Sequence, residues 1–154
     1  MIDSIKQRVE VQCSIEQAFK LFTNSFGKWW PREYSWSQAG MEFIRIEPKL
    51  GGRCTEIGPE GFQLDWGRVL KWSPPVRLTI TWQIGPNRVP QPNPENASTI
   101  DIVFKAVSDS VTEVLFEHRD IHNHGEGAQA YRDALNSEYG WPFILHRYVD
   151  SVNT

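Results

Sequence analysis

The run Trp66-Gly67-Arg68-Val69-Leu70-Lys71-Trp72-Ser73-Pro74-Pro75-Val76-Arg77-Leu78-Thr79-Ile80-Thr81-Trp82 reads as two strands joined by a Ser-Pro-Pro break, with tryptophans at its ends and middle. Paired prolines cannot continue a sheet ladder, so they separate the two runs. After the break, Leu78, Ile80 and Trp82 alternate with Arg77, Thr79, Thr81 and Gln83, the period of a half-buried strand. Before it, Val69, Leu70 and Trp72 do not share one alternation, which predicts a bulge near Gly67. Sheet surface this aromatic needs a large cover, either a helix or a ligand.

Working outward, the same period recurs in Ile5 to Cys13, Met41 to Glu47, Arg53 to Ile57, Thr99 to Val107 and Val111 to His118. Ser14-Ile15-Glu16-Gln17 is a capping box, and Ile15, Ala18, Phe19 and Phe22 form the apolar stripe of a helix ending before Gly27. Lys28-Trp29-Trp30-Pro31 adds a short helical turn. Residues 85 to 96 hold four prolines and no apolar period, so we expect a mobile surface loop there. Gly125 to Leu135 has helical spacing. Trp141-Pro142 then opens a last helix whose Trp141, Ile144, Leu145, Tyr148 and Val152 share one face. The expected fold is α+β in one domain over residues 1–154: a curved antiparallel sheet of about seven strands around a long C-terminal helix, with two short helices after the first strand. One helix of that length leaves part of the sheet uncovered, and the remainder predicts a cavity.

Composition narrows the functions. The 16 basic and 19 acidic residues give a net charge of -3 without a basic block, which argues against a nucleic-acid partner. No apolar run is long enough to span a bilayer and the start lacks a secretory pattern, so a cytoplasmic location is expected. Cys13 and Cys54 sit in separate apolar strands and read as reduced, buried thiols. Phosphate-binding loops, dinucleotide glycine fingerprints, GxSxG and Cys-x-x-Cys are missing, and no cofactor is implied.

Several pieces, in order and spacing, resemble the activator-of-Hsp90-ATPase-like branch of the START and polyketide cyclase (SRPBCC) superfamily. They are Trp29-Trp30-Pro31, Gly51-Gly52-Arg53, Trp66-Gly67-Arg68-Val69-Leu70, Pro74-Pro75 with Leu78 and Trp82, and Glu117-His118. The series ends in His124-Gly125-Glu126-Gly127-Ala128, Tyr131-Arg132-Asp133 and Gly140-Trp141-Pro142. The resemblance implies a helix-grip (START-like) fold with a hydrophobic cavity between sheet and C-terminal helix. It does not imply one reaction, since members include lipid and sterol carriers, polyketide cyclases, toxin-sequestering proteins and stress-response co-chaperone domains.

Within that frame, we expect Trp30, Cys54, Trp66, Ile80, Trp82, Ile102, Phe104, Phe116, Trp141, Leu145 and Tyr148 to line the cavity, with Glu56 and His118 as polar anchors. The last two are also the catalytic candidates: a carboxylate and an imidazole meeting at an apolar ligand suit general acid–base work, as in an aldol-type cyclisation, while a plain hydrogen-bonded pair is the structural alternative. His118, His122 and His124 lie close to Asp120 and Glu126, a metal-like composition, but no two histidines have i, i+4 spacing in a clear helix. We assign no metal and expect His124 to cap the helix beginning near Gly125. Arg68 either stacks on a tryptophan or faces solvent. Of Trp29 and Trp30, one should fill the core and the other lid the cavity mouth. Tyr148 and His146 could present polar tips to the cavity or to a partner. Three functions remain open: binding a small hydrophobic, lipid-like or polyketide-like molecule, a cyclase or hydrolase acting on one, and a chaperone-ATPase interaction module, as a monomer or homodimer.

Overall fold

Seven strand-like runs, one of them with a broken alternation, become seven strands of one curled antiparallel sheet. The computed structural model describes residues 2–153. The strands are β1 (Ile5–Val11), β2 (Phe43–Ile46), β3 (Arg53–Ile57), β4 (Gln63–Ser73), β5 (Arg77–Trp82), β6 (Ser98–Ser108) and β7 (Val111–Arg119). Their spatial order is β1-β7-β6-β5-β4-β3-β2, so β1 and β2 form the two edges. The chain crosses between those edges through α1 (Ile15–Thr23) and α2 (Phe26–Trp29), and finishes in α3 (Ala128–Leu135) and α4 (Trp141–Asn153).

The broken alternation of the opening run has a physical cause. Cys54 pairs with Gly67 and Thr55 with Asp65, so Trp66 is an extra residue against β3. Val69 pairs with Ile80 and Lys71 with Thr79, so Leu70 is extra against β5. Each bulge shifts the in–out pattern by one residue. Trp66, Val69 and Trp72, spaced three apart, therefore all reach the inner side, while Leu70 is turned outward.

Helix α1 begins as its sequence indicates: the Ser14 hydroxyl accepts the Gln17 N–H. Its Phe19 meets Trp72 and Phe104, and its Phe22 meets Phe104 and Tyr148 of α4. Helix α4 buries Trp141, Ile144, Leu145 and Tyr148 against the sheet, each worth about 2 kcal/mol of apolar burial. The Tyr148 hydroxyl donates to the Ala18 carbonyl, locking α4 to α1.

One expectation at the other end is corrected, and another gains detail. Residues 85–96 are a surface loop with local order in it: the turns Pro86–Arg88 and Pro94–Asn96 are 3-10 helical, and Ile84 bridges Pro90. The Gln91 backbone N–H donates to the Gln83 carbonyl, and the Gln91 carbonyl accepts from the Gln83 side-chain amide. Helix α3 starts at Ala128, behind Gly125 and Gly127, whose φ values of 79° and 85° favour glycine. His124 does not cap it, because its ring points into a buried network described below.

Candidate functional site

Where the cover of α4 runs out, a cavity of about 420 Å³ remains, partly open to solvent. Its inner wall is aromatic: Trp30 from the end of α2, Trp66 of β4, Trp82 of β5 and Trp141 of α4. Ile44 of β2, Leu64 of β4 and Ile84 continue the apolar surface, and Tyr131, Leu135 and Ile144 close the helical side. Trp30 and Trp66 lie within 16° of parallel with ring centroids 6.3 Å apart, and both stack on Phe26. Trp82 and Trp141 meet edge-on at 5.4 Å.

The segment 33–36 and the turn 86–88 form the mouth. Glu56, 2% exposed, holds the first of these. Its carboxylate accepts the backbone N–H of Trp36 at 2.8 Å and of Ser37 at 2.6 Å. Arg88 holds the second to the first: its guanidinium donates to the Ser35 carbonyl at 2.6 Å and lies 5.6 Å over the Trp36 ring. Arg88 sits at φ 63° beside Asn87 at φ 61°, left-handed conformations that non-glycine residues adopt at a cost. Tyr34 ties the mouth to the α3–α4 corner through a bond from its hydroxyl to the Tyr139 carbonyl.

Behind Trp141 runs a buried chain of hydrogen bonds. The indole N–H of Trp141 donates to His118 Nδ1 at 2.9 Å. An indole nitrogen only donates, so Nδ1 accepts and the proton of neutral His118 is on Nε2. That N–H meets Ser98 Oγ at 2.6 Å, and Ser98 Oγ meets His124 Nε2 at 2.7 Å. The Ser98 proton therefore goes to His124, which donates from Nδ1 to the Gln91 side-chain oxygen. Every donor finds an acceptor only when both imidazoles are neutral. Burial, reinforced by His124, lowers His118 to about 3, and burial lowers His124 to about 4.

These placements sort the expected residues. Trp30, Glu56, Trp66, Trp82 and Trp141 lie on the cavity wall. Cys54, Ile80, Ile102, Phe104, Phe116, Leu145 and Tyr148 are buried in the packed core instead; Phe19 and Phe22 of α1 stand against Phe104, and Trp141 of α4 against Phe116. His118 is displaced from the cavity by Trp141, which covers it. Glu56 and His118 do not pair: each spends its polar atoms on other partners. Trp29 is the core ring, with its N–H on the Leu21 carbonyl, and Trp30 is inner wall rather than lid. Arg68 faces solvent, as does His146 beside Asp150. The lid aromatic is Trp36, which like Arg88 and Tyr131 was not among the expected site residues. Its signal was a tryptophan in a segment without apolar period. Both cysteines are free and buried, and burial pushes both thiols up. Among the described residues, no group of His, Cys, Asp and Glu is arranged to hold a metal ion, and no helix is long and apolar enough to cross a membrane.

A sheet wrapped on a C-terminal helix, with the cavity at their open end, defines the helix-grip class. The sequence profile described as activator of Hsp90 ATPase homolog 1-like protein matches residues 12–148, and the chain belongs to that family. Among solved structures, it is similar to an anthrahydroquino-gamma-pyrone synthase, Txn09, at 32% identity over 97% of this chain and 96% of that one, with a TM-score of 0.69. It is also similar to the self-sacrificing resistance protein CalC from Micromonospora echinospora, at 28% identity over 97% and 93% of the two chains, with a TM-score of 0.71. The Aha1 dimer from Colwellia psychrerythraea shares the fold at 19% identity, over 99% and 97% of the chains, with a TM-score of 0.63. Comparison with curated proteins finds no match.

Proposed function

We propose that this protein binds a small, flat, apolar molecule of polyketide type in the aromatic cavity. One observation carries the reading: four tryptophans from four different elements converge on one partly open space that the fold leaves unfilled. Aromatic walls reward a planar apolar guest through stacking and area burial. The name of the synthase, whose product is a fused anthrahydroquino-gamma-pyrone, favours a flat polyketide-like guest over a fatty acyl chain. We further propose that it works in the cytoplasm, where its two free thiols would stay reduced, and as a monomer or homodimer. Native mass spectrometry and tryptophan quenching against polycyclic aromatic ketones and fatty acids test it. Binding of the aromatic set with Kd near or below about 10 μM is expected. No quenching and no adduct from either set would overturn it.

The synthase neighbour supports a second reading, catalysis on such a guest. It ranks behind binding because Glu56 is committed to the mouth backbone and His118 is neutral behind Trp141. Turnover of a bound ketone that is lost in Glu56→Gln would promote it. Stimulation of a heat-shock ATPase, the reading that the family description suggests, is checked by ATPase rates with and without this protein.

A further inference from the structure

Arg88 is the one cation among the described residues that line the cavity, and its position is built rather than incidental. The turn that carries it is closed at its base: the Gly85 N–H donates to the Val89 carbonyl, and the Gln91 N–H to the Gln83 carbonyl, both at 2.7 Å. At the tip, Asn87 and Arg88 keep left-handed conformations, which residues with side chains hold only where the surroundings impose them. The guanidinium then reaches across the mouth, with one nitrogen on the Ser35 carbonyl and the group over the Trp36 ring. A guanidinium has five N–H donors in a fixed fork. Among the described residues, the Ser35 carbonyl is the only acceptor that Arg88 meets, no carboxylate pairs with it, and the residue is exposed. The two acids of the lining are otherwise disposed. Glu56 spends its carboxylate on the Trp36 and Ser37 N–H groups. Glu33 is exposed and has no hydrogen-bond or ion-pair partner among the described residues, so water and salt screen it.

We infer that Arg88 is the specificity-determining residue of the mouth, and that the guest is a flat aromatic carboxylic acid whose carboxylate meets Arg88 while its rings lie among the cavity tryptophans. This deepens the binding reading above and rests on it. The planar fork of a guanidinium matches a carboxylate, and a hydrogen bond between ions is stronger than one between neutral groups. The Trp36 face shields one side of the guanidinium from water, which strengthens its pull on an anion at the opening. A guest that is neutral at this end forgoes the contact, and one that is cationic there is repelled.

Anthraquinone-2-carboxylate and anthraquinone-2-carboxamide test it, since they share one flat frame and differ in charge. By tryptophan quenching at low salt, wild-type protein should bind the acid at least about fivefold more tightly than the amide, the order of one charge-assisted contact at an exposed site. The preference should shrink between about 20 mM and about 500 mM sodium chloride. Arg88→Gln, which keeps most of the side chain and removes the charge, should bring the two affinities to within about twofold of each other. Arg88→Lys, which keeps the charge and loses the fork, should retain part of the preference. The readout is a ratio, so a change in the mouth that weakens both probes alike does not mimic the result. A wild-type preference below about fivefold, or one for the amide, overturns this inference and leaves the aromatic cavity standing. A preference that survives Arg88→Gln overturns the assignment to Arg88. Binding of neither probe overturns both readings.

Discussion

Lowering the pH from 8 to 5 should destabilise this protein far more than its surface charge would suggest, because of His118 and His124. Unfolded, each imidazole titrates near 6.5. Folded, the two are held near 3 and 4 by burial. Below 6.5 the unfolded chain takes up protons that the folded chain refuses, so stability falls as pH falls and continues to fall until the folded groups titrate. At pH 5 the unfolded form of each histidine is favoured by about 2 kcal/mol relative to pH 8, so the pair contributes a loss of about 4 kcal/mol. That is a large part of the 5–15 kcal/mol typical of a domain, roughly speaking. The chain of bonds explains why the folded state resists: a proton on His118 Nδ1 would face the Trp141 N–H. Urea unfolding followed by circular dichroism between pH 8 and 5 measures the effect. With a denaturant slope of about 2 kcal/mol per molar, the midpoint should drop by about 2 M. His118→Gln and His124→Gln should each be less stable at pH 8 and should each lose about half of the pH dependence. A wild-type midpoint that moves by less than about 0.5 M would refute the reasoning, since it would mean that the histidines charge in place.

Three other outcomes follow from single contacts. Gly67→Ala should cost about 2–3 kcal/mol in urea unfolding, because an added Cβ would stand 2.3 Å from the Thr81 carbonyl oxygen at the bulge. Glu56→Gln turns an amide donor toward one of two backbone N–H groups, so hydrogen exchange at Trp36 and Ser37 should rise about tenfold or more with the sheet unchanged. Asp101, on the outer face, is a third case. Burial would raise its carboxyl, but hydrogen bonds from Arg77, Thr79 and Arg119 outweigh that and hold it below the usual range. Asp101→Asn should therefore destabilise by about 1–2 kcal/mol at pH 7, a difference that shrinks as pH falls through the carboxylate range.

Much of the fold was legible in the sequence because it depends on local periods. Strand β3 was read with its observed limits, and β7 shows strict alternation of buried Thr112, Val114, Phe116 and His118. The Ser14 cap and the Trp141 stripe also follow from neighbours in the chain. The site was harder to read for the same reason. Periodicity says that a side chain faces inward, and Phe104, Phe116 and Tyr148 do, but it does not say whether a helix already stands in front of them. The mouth has no period at all: Trp36 and Arg88 are brought together from segments about fifty residues apart, by bonds to Ser35 and Glu56.

The run from Trp66 to Trp82 shows where the division falls. Its composition and alternation determined by themselves that two strands would turn a rich aromatic surface inward, since side-chain direction in a strand is a local property of the pleat. Tertiary structure decided the rest. Two bulges set which residues reach the interior, Phe19 of α1 met Trp72, Val69 and Ile80 were packed into the core, and Trp66 and Trp82 were left on the cavity wall. Only the folded chain could also decide that the Trp82 N–H finds Tyr131 while the Trp66 N–H finds no partner. Hydrogen-bond satisfaction depends on which distant atoms come within about 3 Å, and no local pattern encodes that.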